Sequence, residues 1–543
     1  MNAPTMSRKT FAPSLASFAG QFFRGRASQD KSPFAEQAKS FEAFLDDALE
    51  CEFPPTPGSP LCGIIITPWV ETAVPWFSLT LGLLYRKLGY RVAFIYHDTT
   101  FPNRNEPVSQ LAIIKRVLNR FAPRFEILSL SSFAPQHCDK ILSVELDKLV
   151  HLNMGTYLRR TPQDFSPEEL QAKCASAMRE AAGSLLALFE TRRFDHVVAP
   201  GGLYGFSGLY RVISDRYDTR TAYYDSGTGS LVLGSDNVAG HCMDLGKAFS
   251  PEYQDFLKEN SEIMIALAKA EMAQRVTAGD RYSYQEAAMN PKDRELGGDI
   301  LIPLSIFDDA AGIGKTQSFA SSAEWIEETV NWILTKTDAS VVMREHPSTR
   351  KVKTNRDLQL RLAEQHKGNP RFRFIAGTET VNTYALMPRA KIVLPCASTV
   401  GVEAAAMGKH VIMESSAYYA GLSFVTFALT KEDYFAQITK ALANPEPLSQ
   451  SQRNDAWTCY FLGQVANFVD GDFTPIPSDF SSWVARKFEE LAADPKIQLV
   501  VEVLAEGVPS CIVQGKRILT EQRYDKTEVM ELAAKTDQFL AQN

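Results

Sequence analysis

Apolar residues recur along this chain in two rhythms. Short unbroken runs bounded by turn residues, such as GIIIT at 63–67, HVVAPGG at 196–202 and KIVLP at 391–395, alternate with longer stretches whose apolar positions fall three and four apart. WFSLTLGLLYRKLG at 76–89 and SAEWIEETVNWIL at 322–334 are of the second kind. The first rhythm predicts strands buried on both faces, the second predicts amphipathic helices. Strand–helix–strand at this spacing is a βαβ unit, and such units build a parallel sheet.

One series of strands, GIIITPWVE, YRVAFIYHD, FEILSL, HVVAPGG and TAYYDSG, lies within 61–235. A second series, DILIPLSIF, SVVMREHP, RFRFIAG, KIVLP and KHVIME, lies within 296–470. The pattern predicts two doubly wound, Rossmann-like α/β domains facing a central cleft, because ligands in such folds sit beyond the carboxyl ends of the strands. A deep cleft shared by two domains suits a two-substrate reaction, since closure excludes water. The proline-rich stretch CEFPPTPGSP sets off an extension at 1–60. Residues 236–295 read as a polar connecting region with helical character. Residues 471–543 read as an appendage in which IQLVVEVL and SCIVQGKRILT form a hairpin-like pair. Within 322–334, Trp325 and Trp332 are assigned to the core rather than to ligand stacking.

A length of 543 residues exceeds what one core organises, which agrees with two domains. Fifty-seven basic against 64 acidic residues give a net charge of −7, so nothing in the overall charge points to a nucleic-acid partner. The eight cysteines are scattered without a CxxC pair, which fits a reducing cytosol and gives no zinc site or disulfide framework. No apolar run approaches the roughly 20 residues that cross a bilayer. The chain opens without the apolar segment of a secretory signal, so a cytoplasmic location is expected. Arg8, Lys9, Arg24 and Arg26 are interleaved with Phe11, Leu15, Phe18 and Phe22 at helical spacing. That segment is either an unstructured terminus or a basic amphipathic stretch lying on the inner face of the membrane.

Candidate chemistry concentrates in the second series. Between the strand KIVLP and the helical VGVEAAAMG stand Ser398 and Thr399, whose hydroxyls and helix-start amides converge on one point that favours an anion. Glu403, one turn later, is placed to reach a sugar hydroxyl beside that anion. A phosphate next to a ribose is a nucleotide. Arg344, His346 and Pro347 end an earlier strand of the same series, with proline blocking its continuation and aiming the imidazole into the cleft. The run Asp309-Ala-Ala-Gly-Ile-Gly-Lys-Thr316 resembles a phosphate-binding P-loop, but Asp309 occupies the position of that motif's first glycine. It is read as a cleft-rim loop whose Asp309 and Lys315 touch substrate. In the first series, Asp225 ends a strand in a glycine-rich loop, where a carboxylate can take a proton from an acceptor hydroxyl. Gly201 and Gly202 form a second open loop where substrate can approach the backbone. His97 and Asp98 are secondary candidates.

Arg344-Glu-His-Pro347 followed about 50 residues later by STVGVEAAAMGK resembles the bacterial capsule polysaccharide biosynthesis transferases. The same two-part signature occurs in bacterial sialyl- and polysialyltransferases and in the glycerophosphate polymerases of wall teichoic acid. The likeness spans about 296–430 and includes LIPLSIFDDAAG, VNTY and YYAGLSFV. It implies a GT-B fold with the activated donor held by the C-terminal domain. It further implies that His346, Pro347, Ser398 and Thr399 contact the donor nucleotide, often a cytidine one, without a metal or other cofactor. Sialyltransferases carry an acidic-acidic-glycine triplet whose first member is the base; here it reads Asp225-Ser226-Gly227, with one acidic position missing. The expectation is a transferase that moves a sugar from a nucleotide donor to a glycan or lipid-linked acceptor. Two other readings stay open at this point: a CDP-linked polyol-phosphate transferase, and a non-catalytic subunit of capsule assembly or export.

Overall fold

A computed structural model describes residues 32–54, 57–69, 72–99, 108–160, 166–227, 230–277, 288–306, 312–350, 356–444 and 447–541. It contains two sheets. The first comprises β1 (Leu61–Ile66), β2 (Arg91–Tyr96), β3 (Glu126–Ser129), β4 (His196–Pro200), β5 (Arg220–Gly227) and β6 (Ser230–Ser235). The second comprises β7 (Ile300–Pro303), β8 (Val341–Arg344), β9 (Phe372–Ile375), β10 (Ile392–Val393), β11 (His410–Met413) and β12 (Thr426–Phe427). A last short strand, β13 (Val469–Asp470), returns to the first sheet and pairs antiparallel with β6.

The spatial orders are β3-β2-β1-β4-β5-β6-β13 and β9-β8-β7-β10-β11-β12. Both follow the doubly wound 3-2-1-4-5 sequence of a dinucleotide-binding half, so the reading of two Rossmann-like, doubly wound units holds. In each sheet the order reverses at one place, between β1 and β4 in the first and between β7 and β10 in the second. The central strands β1, β4, β7 and β8 are buried on both faces, as their unbroken apolar runs require. Along β1, Cys62, Ile64 and Ile66 enter one core while Leu61 and Ile65 enter the other. Along β7, Leu301 faces one core while Ile300 and Ile302 face the opposite one.

Two parts of the fold go beyond the sequence reading, and a third departs from it. The extension at 1–60 holds a helix, Pro33–Glu50, capped by Ser32 and opened by Pro33. It buries Phe34, Phe41, Phe44 and Leu45 in the first core. The connecting region contributes the helix Ser261–Val276, which buries Met264, Leu267 and Met272 in the second core. The two runs read as a hairpin are helices, Pro495–Glu506 and Ser510–Thr520. An Asp494–Pro495 start and a left-handed Gly507 at φ 75° mark the first of them, and the apolar run was long enough to fit either period. Trp325 is buried and donates to the Tyr434 hydroxyl at 3.1 Å, and Trp332 stacks on Phe435. No helix among the described residues is long and apolar enough to cross a membrane.

Candidate functional site

The elbow after β10 lies at the reversal point of the second sheet. Pro395 stops the strand, and the chain turns into the short helix Val400–Ala406. Ser398 Oγ accepts from the Val400 amide at 3.3 Å, and its carbonyl accepts from Gly401 N at 3.1 Å and from the Tyr419 hydroxyl at 2.5 Å. Thr399 is the capping position, yet its side chain makes no capping bond. Both residues are half-buried. The elbow is thus held from behind while both residues stay partly exposed. A seven-residue helix carries a weaker dipole than a long one, so little of any anion binding comes from that source.

His346 and Pro347 follow β8, two strand spacings, or about 10 Å, from β10. His346 Nδ1 accepts from the Ser348 amide at 3.1 Å, which places the ring proton of the neutral form on Nε2. Pro347 is buried and opens the turn Pro347–Arg350.

Two expected donor ligands are engaged elsewhere. Arg344 is 2% exposed, and its guanidinium donates to the carbonyls of Ala376 at 2.5 Å and Val381 at 2.8 Å. It ties β8 to the loop after β9 instead of presenting charge to a phosphate. Its neighbour Glu345, fully buried, takes a two-pronged bond from Arg356 at 2.6 and 2.7 Å and accepts from Gly377 N. Glu403 is 1% exposed and meets Arg275 at 2.9 Å. One turn into so short a helix, its side chain points into the second core and not toward the crevice. Tyr460 lies under the same guanidinium at 5.6 Å, and Gln464 accepts from it. The sequence places both residues near the ligand; in the structure both turn inward, Arg344 onto two backbone carbonyls and Glu403 onto Arg275.

In the first sheet, Asp225 lies within β5 rather than after it. The expected open loop is a hairpin: β5 runs on to Gly227 and pairs with β6, with Asp225 opposite Val232. β4 ends one residue earlier, opposite Tyr224, so Asp225 projects past the parallel edge. It is half-buried, and its Oδ1 accepts from Ser226 N at 2.7 Å. Gly201 and Gly202, at φ 67° and 95°, form the turn that leaves β4. A side chain at 202 would press on Tyr223 and Val238 at 3.1–3.2 Å, so the loop is tightly packed rather than open on that side. Asn153 and Ser207 hold this turn by accepting from Gly205 N and Gly202 N. His97 is fully buried against Phe206 and the Tyr210 hydroxyl, and burial lowers its pKa to about 3.

Asp309 lies outside the described residues. Lys315, on the same loop after β7, is 3% exposed. Asp98, the other secondary candidate, accepts from the Ser131 amide at 2.9 Å, whereas Glu414 was not assigned a site role from sequence. Glu414 directly follows β11, is buried, and accepts from the Gln317 and Ser318 amides at 2.9 Å. Burial raises its pKa. The strand-ending position that singles out Asp225 is also the signal for Glu414. Tyr419, which fixes the Ser398 carbonyl, has no comparable signal, because it comes from a loop 21 residues on. The described residues contain no cluster of three or more His, Cys, Asp or Glu able to hold a metal ion.

The molecule is a pair of Rossmann-like units whose polar elbows collect at the carboxyl edges of two sheets. Residues 246–454 match the family model described as capsule polysaccharide biosynthesis protein. No curated protein matches. Among solved structures the chain is similar to the β-Kdo 2,4 transferase of Thermosulfurimonas dismutans KpsC, at 14% identity over 49% of this chain and 87% of that one, with a TM-score of 0.30. The β-Kdo 2,7 transferase of the same protein aligns at 13% identity over 63% and 86%, with a TM-score of 0.27. MurG of Acinetobacter baumannii aligns at 9% identity over 82% and 99%, with a TM-score of 0.25.

Proposed function

We propose that this protein is a glycosyltransferase of capsule synthesis that moves a sugar from a nucleotide-activated donor to a growing surface polysaccharide. The observation that carries the reading is the Ser398–Thr399 elbow at the strand-order reversal of the second sheet, braced by Tyr419 and accompanied by His346. The family match over 246–454 supports the setting in capsule synthesis. In this reading the second sheet holds the nucleotide, a cytidine one, between His346–Pro347 and the elbow. The first sheet presents the acceptor near Asp225. The acceptor oxygen bonds to the anomeric carbon, the bond from that carbon to the phosphate oxygen breaks, and the acceptor proton passes to the Asp225 carboxylate. The nucleotide leaves with the bonding electron pair, its charge met at the elbow. No metal takes part. The basic, phenylalanine-bearing segment at 8–26 supports a peripheral position on the inner membrane face, close to a lipid-linked acceptor.

Calorimetric titration of the purified protein with CMP, UMP and GMP tests the donor site. CMP binding that weakens in Ser398→Ala and Thr399→Val variants is the expected result. If none of the three nucleotides binds the wild-type protein, the reading is lost.

A further inference from the structure

With Arg344 bonded to backbone carbonyls and a helix of only seven residues behind the elbow, the proposed nucleotide site needs a cation from elsewhere. Lys315 has the position and the unmet bonding capacity. Its backbone is anchored on both sides: the Lys315 carbonyl accepts from Ser416 N at 2.7 Å and from Ser416 Oγ at 3.2 Å, and Thr316 bridges to Ser415. Ser415 Oγ in turn donates to the Cys396 carbonyl at 2.7 Å, two residues before Ser398. Lys315 is therefore coupled through two hydrogen bonds to the strand end that carries the elbow. Gly314, at φ 72°, turns the chain just before the lysine, and a Cβ there would come within 3.2 Å of Leu152.

The ammonium itself is poorly provided for. Nζ donates to the Ser416 carbonyl at 3.2 Å and reaches the Met243 thioether at 3.3 Å, a weak acceptor. No carboxylate pairs with it among the described residues. The titratable groups that face it are Cys242, on the connection leaving β6, and Cys396, at the end of β10. Burial pushes both thiols up to about 11, so they stay neutral and supply no countercharge. An ammonium has three donors, and only one strong acceptor is present. Burying a cation without a partner is costly, and a fold tolerates it where an anionic ligand completes the set.

We infer that the ammonium of Lys315 is the cation that receives the phosphate of the bound donor nucleotide, swinging on its four-carbon stem from the thioether to the phosphate oxygens. This rests on the nucleotide reading above and names the group that discriminates a nucleotide from its nucleoside.

The test compares CMP with cytidine, UMP with uridine and GMP with guanosine by calorimetry, on the wild type, Lys315→Met and Lys315→Arg. The wild type is expected to prefer a nucleotide over its nucleoside by at least tenfold. Lys315→Met should lose that preference while keeping nucleoside affinity, and Lys315→Arg should retain part of it. If wild type binds none of the nucleotides, the functional reading fails. If wild type shows the preference and Lys315→Met keeps it within twofold, the role of Lys315 is overturned and the functional reading stands. Should Lys315→Met not fold, the wild-type preference is followed from pH 7.5 to 9.5, where the phosphate is already fully ionised. The preference should fall across that range, and a flat profile overturns the inference.

Discussion

Arg275 and Glu403 meet at 2.9 Å inside the second domain, and each is at least 96% shut off from solvent. The pair joins the helix Ser261–Val276 to the short helix behind the Ser398–Thr399 elbow. The elbow is therefore aligned by a buried ion pair from a segment that reads as a linker.

Removing one partner leaves the other charged and buried, which costs about 3–5 kcal/mol. Glu403→Ala should lower stability by that amount in urea unfolding. Arg275→Met combined with Glu403→Leu should recover most of the loss, because the charges leave together. Equal stability of Glu403→Ala and wild type would return Glu403 to the list of ligand residues.

Arg344 donates to two carbonyls of one loop, and a lysine cannot span both. Arg344→Lys should cost about 2 kcal/mol of stability, the range of a charge-assisted hydrogen bond. The folded variant should bind nucleotide as the wild type does. A large loss of nucleotide affinity with unchanged unfolding would mean that Arg344 reaches the ligand after all.

Asp225→Asn keeps the bond to Ser226 N but removes the base. Transfer should fall about 10²–10⁴-fold with nucleotide binding intact. Retained transfer would move the base to another group, with Glu414 the first to substitute.

Lys315 has its pKa lowered to about 8 by burial, against 10.5 for a free lysine. The unfolded chain therefore binds the extra proton between those values, so stability should rise as pH climbs from about 8 to 10.5. Lys315→Met removes the penalty of the charged form and should be more stable at pH 7 by on the order of 1–3 kcal/mol. Melting curves of both proteins at pH 7 and pH 10 check this: the gap between them should shrink at the higher pH.

Deleting residues 1–31 leaves the Ser32 cap of the first helix in place. The shortened protein should keep its unfolding midpoint and lose binding to vesicles containing anionic lipid, most clearly at low salt. Equal vesicle binding by both forms would remove the membrane role of that segment.

The two rhythms of apolar residues in the sequence were enough to determine five parallel strands in each sheet, the helices between them and the elbows at strand ends, but not the antiparallel β6 and β13 or the edge strand β12. Those features depend on residues close together in the chain: Pro395 stops β10, Pro347 stops β8, and Ser398 bonds an amide two residues away. The sequence also put Trp325 in the core, and Trp332, assigned there too, packs half-buried against it. Which of the polar residues near the elbows turn inward was decided only by tertiary packing. Glu403 found Arg275 across 128 residues, Arg344 found carbonyls 32 and 37 residues on, and Lys315 came to rest against Met243, 72 residues away. A charged side chain takes its nearest unsatisfied partner in space, and distance along the chain carries no record of that.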